Sequence, residues 1–115
     1  MERERVKPII IHDVENNKDY TLEFSRDTIK FAEARGFKVQ DVDDYKMTKI
    51  PEFFWYSFRM HHPQVSMNQA EKILDRCGGM SEAMLQRLGE LWVAPFDALV
   101  SHEGDEKNAT VTVEL

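Results

Sequence analysis

Ile50-Pro51-Glu52-Phe53-Phe54-Trp55-Tyr56-Ser57-Phe58-Arg59-Met60 is the densest apolar stretch of this 115-residue chain, with five aromatic residues in six consecutive positions. Residues at three- and four-residue spacing mark out one face of a predicted helix: Ile50, Phe53, Phe54, Ser57, Phe58 and His61. Trp55, Tyr56 and Arg59 lie off that stripe. A helix that is apolar nearly all round has to be covered on more than one side, by its own fold or by another chain.

The flanking residues predict where this aromatic helix begins and ends. Thr48 is a suitable N-cap, which places Pro51 in the first turn, where a missing N–H does no harm. Pro63 ends the helix, because proline cannot continue it. Residues 41–45 form an acidic connector before it.

The N-terminal part of the chain is predicted to form a β-hairpin. Residues 6–12 are rich in isoleucine, and residues 19–24 alternate between polar and apolar side chains. Asn16-Asn17 lies between them and tolerates the positive backbone angles of a hairpin turn. Pro8 suits an edge strand, since it cannot donate a ladder hydrogen bond.

Capping residues and glycines indicate one short helix before the aromatic helix and one after it. Ser25 caps a helix over 26–35 that Gly36 ends. Its buried side is predicted to be Ile29, Phe31 and Ala32. Ser66-Met67-Asn68-Gln69 is a capping box, and Gly78-Gly79 ends the helix that follows it. The apolar face of that helix is Ala70, Ile73, Leu74 and Cys77.

The last predicted helix begins after Ser81, and Pro95 must kink or interrupt it. Its apolar stripe is Met84, Leu85, Leu88, Leu91, Trp92, Phe96 and Leu99. Residues 109–115 alternate and are a candidate third strand, whereas 1–5 and 101–108 are expected to be flexible. We therefore predict one α+β domain over 1–115, in which an N-terminal hairpin, with a candidate C-terminal strand, packs against four helices.

Composition excludes several classes of function. The net charge of −6 disfavours nucleic-acid binding, because phosphate backbones select lysine and arginine. No basic amphipathic stretch, signal peptide or membrane-spanning run is recognisable, so a membrane partner is not expected. The single cysteine cannot form an internal disulfide, which makes a reducing cytoplasm the default location.

Each candidate for chemistry has a more ordinary explanation. His61-His62 are adjacent, so on a helix their rings diverge and chelate a metal poorly. Cys77 lacks a catalytic signature, and its place on an apolar helix face predicts a buried filler. The carboxylates of 41–45 lack the glycine and the further donors of a calcium loop. We predict no catalytic residue, metal site or cofactor, and hence not an enzyme.

Aromatic, methionine and arginine side chains outside the expected core are the candidates for partner binding. Phe53, Phe54, Phe58 and Leu88 are assigned to the core. Aromatic residues and arginine dominate binding hot spots, and methionine adapts to varied apolar surfaces. The predicted partner-binding set is therefore Trp55, Tyr56, Arg59, Met60, Trp92 and Phe96.

The order of these elements resembles that of the small tail assembly chaperones of long-tailed bacteriophages, especially those of Gram-positive phages and prophages. The resemblance covers about residues 6–100. It rests on Tyr20–Arg26, Glu33, Gly36-Phe37, Ile50–Phe58, His61-His62-Pro63, Ala70–Leu74 and Leu88–Trp92.

That resemblance implies a function and partners. Such chaperones bind the long helical tape-measure protein and keep it soluble until tail-tube protein polymerises around it. Many also exist in a longer frameshifted form, and some self-associate. The expected location is the cytoplasm of the bacterial host, outside the mature virion. No catalytic residue carries over from this family.

Two other classes of function stay open on the sequence. The main alternative is a small acidic phage or bacterial regulator or inhibitor that binds a single host protein. The acidic net charge of the chain suits that class as well. A small enzyme using Cys77 or His61 is the other.

Overall fold

A computed structural model describes residues 5–99, 111 and 113–115 of the chain. An antiparallel hairpin of strands β1 (Ile9–Asp13) and β2 (Lys18–Leu22) comes first. Four α-helices follow: α1 (Arg26–Ala34), α2 (Lys46–Tyr56), α3 (Met67–Arg76) and α4 (Glu82–Val93). The predicted α+β class, a hairpin packed with four helices, is confirmed. No helix in this described part of the chain is long and apolar enough to cross a bilayer.

The hairpin turn lies where the paired asparagines predicted it. Asn17 has a positive φ of 51°, and its N–H donates to the carbonyl of Val14 at 3.3 Å. Both strands are shorter than predicted, since β1 begins after Pro8. The candidate third strand at 109–115 falls largely outside the described residues, and 111 and 113–115 carry no strand. Of the two segments expected to be flexible, only Arg5 lies within the described residues.

Three of the predicted helix starts are confirmed by the side-chain hydrogen bonds of their serines. Ser25 accepts from the backbone N–H of Thr28 at 3.2 Å, and Ser66 accepts from that of Gln69 at 3.1 Å. In both cases the third residue bonds back to the cap, which completes a capping box. Ser81 caps α4 in the same way, without the return bond.

Helix α2 differs from its prediction at both ends. It begins at Lys46 with Tyr45 as N-cap, so Thr48 is not the cap and Pro51 lies in the helix interior. Pro51 is tolerated there because the carbonyl that loses its donor, that of Met47, is at the solvent-exposed start of the helix. The helix ends at Tyr56 rather than near Pro63.

The early end of α2 has a local cause in Ser57. Its hydroxyl donates to the carbonyl of Phe54 at 2.5 Å, and its own N–H is shared between the carbonyls of Phe53 and Phe54. Such back-bonding competes with the regular helical ladder. The chain continues in successive turns over 57–61, so His61 does not extend the helical stripe.

The core forms two clusters on opposite sides of α2. Phe53 and Tyr56 belong to the first, whereas Phe54 and, beyond the helix end, Phe58 belong to the second. The first is completed by residues of α1, of α4 and of the segments on either side of α1: Phe24, Ile29, Ala32, Phe37, Val42, Leu88, Leu91 and Trp92. The second is completed by residues of β2, of α3 and of the turn before α3: Leu22, Val65, Ala70, Ile73 and Leu74. The nearly all-round apolar character of α2 is therefore satisfied largely within one subunit.

Candidate partner-binding surface

Two of the six predicted partner-binding residues belong to the core. Tyr56 is 2% exposed and Trp92 is 4% exposed. The ring of Phe37 lies 5.1 Å from that of Tyr56 and 5.5 Å from that of Trp92, measured between centroids. Phe24 contacts Trp92 edge-on at 5.1 Å. The prediction that Tyr56 and Trp92 are available to a partner is wrong for this subunit, because rings from other segments cover them.

Trp55 and Arg59 are half-buried and already have structural partners. The indole N–H of Trp55 donates to the carbonyl of Val65 at 2.9 Å, which ties α2 to the turn before α3. The guanidinium of Arg59 lies 3.6 Å from the ring centroid of Phe31. That distance is a close cation–π contact, so Arg59 holds α1 against the end of α2.

Met60 and Phe96 are exposed, as a partner surface requires. Two exposed aliphatic side chains that the prediction did not include as partner residues accompany them. Val93, at 58% exposure, lines the same depression as Met60, and Leu99 lines the same depression as Phe96. Pro95 contributes to the depressions beside both pairs. We refer to these five residues, Met60, Val93, Pro95, Phe96 and Leu99, as the apolar patch. Val93 could not be found by periodicity because it lies off the buried stripe of α4.

A surface cleft of about 900 Å³ borders the apolar patch where α4 ends. Its apolar walls are Val6, Phe24, Met60, Leu91, Val93 and Pro95. A helix with its side chains is about 10 Å wide, so this volume corresponds to about two helical turns. A smaller depression of about 120 Å³ lies beside it between α1 and the 3-10 helix Ala94–Ala98, against Phe96 and Leu99.

Glu23 places a carboxylate in the wall of this cleft. Its side chain is largely buried, and it accepts from the guanidinium of Arg5 at 3.1 Å. Its other oxygen lies 2.6 Å from Nε2 of His61. Two basic partners therefore compensate a carboxylate that burial alone would destabilise. Glu90 adds a further acidic side chain to the lining.

His62 closes the outer edge of β2 through its ring. The backbone N–H of Thr21 donates to Nε2 of His62 at 3.0 Å, and the N–H of Glu23 donates to the carbonyl of Ser57 at 3.1 Å. Because Nε2 accepts, the neutral ring carries its proton on Nδ1. Burial, and secondarily the neighbouring His61, lower the pKa of His62. The pair His61-His62 is thus a docking element for the hairpin.

Asp13 and Arg76 join the hairpin to the end of α3. Both carboxylate oxygens of Asp13 accept from the guanidinium, at 2.8 and 2.7 Å. Hydrogen bonds from Arg76, and then from Asn16, hold the pKa of Asp13 well below its usual range. The same carboxylate raises the pKa of Arg76. This bidentate pair fixes the far end of β1 and is not part of the cleft.

Cys77 corrects another prediction. It is exposed, because α3 ends at Arg76 and Cys77 is the C-cap residue rather than part of the buried helix face. Desolvation of the sulfur raises the pKa of the thiol, which disfavours the thiolate a nucleophile needs. Within the described residues, no group of three or more His, Cys, Asp or Glu side chains is arranged to hold a metal ion.

The sequence matches a known protein family. The profile of a family described as Domain of unknown function (DUF5055) matches residues 4–115. No curated protein and no solved structure matches the sequence. Since the matched segment spans nearly the whole chain, the protein belongs to the DUF5055 family.

Proposed function

We propose that this protein is a non-enzymatic tail assembly chaperone of a long-tailed bacteriophage. It binds the tape-measure protein in the host cytoplasm and keeps it soluble until tail-tube protein replaces it. The mature virion does not contain it. The observation that carries the proposal is the apolar patch beside the cleft at the end of α4.

The patch has the chemistry of a site for an apolar helix. Met60 and Val93 expose aliphatic surface in the lining of the cleft, and Phe96 and Leu99 line the neighbouring depression, on the other side of Pro95 in the sequence. Helix-in-groove recognition uses such apolar anchors on an otherwise charged body. Methionine, being flexible and polarizable, adapts to the differing side chains of a long cargo helix.

The charge of the chain supports a chaperone role as well. With a net charge of −6, complexes with an apolar cargo repel one another and resist aggregation. The tape-measure protein binds through its helical surface, and the chaperone leaves when tube subunits cover that same surface. Neither step requires a catalytic group.

Co-expression with the tape-measure protein encoded in the same phage or prophage genome tests this proposal. The wild-type chain is expected to raise the soluble fraction of the tape-measure protein and to co-purify with it. Met60→Glu combined with Val93→Glu should abolish both effects. Met47→Glu is the matched control, because Met47 is 94% exposed and lies at the start of α2, away from the cleft.

Two results would contradict the proposal. One is a tape-measure protein whose solubility the wild-type chain does not change. The other is capture of a single host protein at equal stoichiometry, lost in the Met60→Glu and Val93→Glu variant, which would indicate a regulator or inhibitor. Mass spectrometry of purified virions tests the location, since the chain should be absent from them.

A further inference from the structure

The outer edges of β1 and β2 differ in whether other segments form hydrogen bonds with them. The outer edge of β2 is closed, because Thr21 and Glu23 donate their N–H groups to His62 and Ser57. The N–H and C=O groups of one residue in an antiparallel strand point to the same side, and successive residues alternate. The backbone N–H and C=O of Thr21 therefore point away from β1, and those of Ile10, which lies opposite Thr21 in the register, point away from β2.

Among the described residues 5–99, nothing pairs with the outer edge of β1. By the same alternation, Ile10 and His12 direct their backbone N–H and C=O groups away from β2. Within residues 5–99, no backbone hydrogen bond outside the hairpin joins either residue to another segment. The Ile10 side chain is 47% exposed on the outer face of the sheet. An edge strand with unpaired groups and an exposed isoleucine is a template for pairing with another strand.

We propose that β1 pairs antiparallel with β1 of a second copy, which produces a four-stranded sheet across a two-fold axis at Ile11. In that register Ile10 faces His12 of the second copy, and His12 faces its Ile10. Both residues of each pair direct their N–H and C=O groups at the partner, so the two pairs form four hydrogen bonds. The pattern is self-complementary, as an isologous dimer interface requires.

The charges at the two ends of β1 favour the antiparallel arrangement over the parallel one. Basic Lys7 precedes β1, and acidic Glu15 follows it. The Glu15 side chain is 77% exposed, and one of its oxygens lies 3.3 Å from the guanidinium of Arg76. Antiparallel pairing places the basic end of each strand beside the acidic end of the other, whereas parallel pairing would bring like charges together. Pro8 has no N–H, so it limits the pairing to Ile10 and His12.

Sedimentation equilibrium of the full chain tests this inference, which does not depend on the proposed function. The wild-type protein should approach 27 kDa, twice the 13.5 kDa subunit, as concentration rises. His12→Pro removes an outward N–H without removing a β1–β2 bond, and Ile10→Lys places like charges at the interface. Both variants are expected to remain at 13.5 kDa, whereas the Met47→Lys control should dimerise like wild type.

Circular dichroism distinguishes a variant that has lost strand pairing between subunits from one that has not folded. If His12→Pro does not fold, Ile10→Lys alone provides the test. A wild-type chain that stays monomeric at the highest concentration overturns the proposal. A dimer that both edge variants retain also overturns it. So does a monomer whose Ile10 and His12 amides are protected from hydrogen exchange, because another segment would then cover the edge.

Discussion

Replacement of His62 tests whether one imidazole ring holds the hairpin to the helices. In His62→Ala the N–H of Thr21 loses its acceptor, and the ring contacts with Tyr20 at 5.1 Å and Phe58 at 6.4 Å disappear. An unsatisfied N–H costs about 1–3 kcal/mol when buried, and the lower end applies because Thr21 is half-exposed. An aromatic pair adds about 0.5–1.5 kcal/mol.

We therefore expect His62→Ala to lower the free energy of unfolding by about 2 kcal/mol, and Tm by about 8 °C for a domain of this size. His62→Gln is the matched variant, since its carbonyl oxygen reaches about as far as Nε2 and accepts from Thr21. It should lose only the ring contacts, about 1 kcal/mol. Urea titration followed by tryptophan fluorescence measures both values, and the slope with urea should not change.

The same histidine predicts how stability depends on pH. Burial lowers the pKa of His62 in the folded chain, so between that value and the unfolded value of about 6.5 the unfolded state binds more protons. Stability therefore rises with pH. The contribution is complete above about pH 6.5 and is lost as pH falls through the lower folded pKa. His62→Gln should flatten this part of the plot of Tm against pH. The same measurement on His61→Gln distinguishes the contribution of His62 from that of the neighbouring His61 ring.

The reasoning on His62 fails under two results. The first is a His62→Ala variant with the urea midpoint of wild type, which would mean that Thr21 finds another acceptor at no cost. The second is a His62→Gln variant whose Tm falls below pH 6.5 as steeply as that of wild type. In that case another group would carry the pH dependence.

Three further predictions concern contacts away from His62. Asp13→Asn should lower Tm at neutral pH, because the pKa of Asp13 is depressed by Arg76; the difference from wild type should shrink as pH falls below about 4, through the low folded pKa. Arg59→Ala should cost about 0.5–1 kcal/mol in urea titration through its contact with Phe31, and Arg59→Lys should restore part of it. Phe54→Ala, at a fully buried position, should cost about 3–5 kcal/mol, measured in the same way.

The elements that the sequence predicted well depend on neighbouring residues alone. Ser25 and Ser66 form their caps with residues three positions ahead, and Asn17 adopts the positive φ that its position in the turn suggested. The break of α4 at Pro95 has the same local origin, because α4 ends at Val93 and a 3-10 helix follows. Such signals can be read without knowing which distant segments pack together in the fold.

The errors concern features decided by distant segments. The burial of Tyr56 depends on Phe37, and that of Trp92 also on Phe24, neither of which is adjacent in sequence. The role of His62 as an acceptor requires that β2 lie beside the turn 57–61. Hydrophobic periodicity shows that a residue faces something apolar, but it does not distinguish an internal neighbour from a partner.

The positions of Phe96 and Leu99 in the apolar patch follow from the change of helix type at Pro95. In an α-helix such as α4, each residue is rotated by about 100° from the one before it, so one face recurs every three or four residues. In a 3-10 helix, residues three apart lie on one line. Phe96 and Leu99 are three apart and follow Pro95, so they share a face that no longer continues the stripe ending at Trp92. The aromatic residues of α2 are used to fill two core clusters. Exposed apolar surface lies instead where α4 ends at Val93 and the 3-10 helix that contains Pro95 begins.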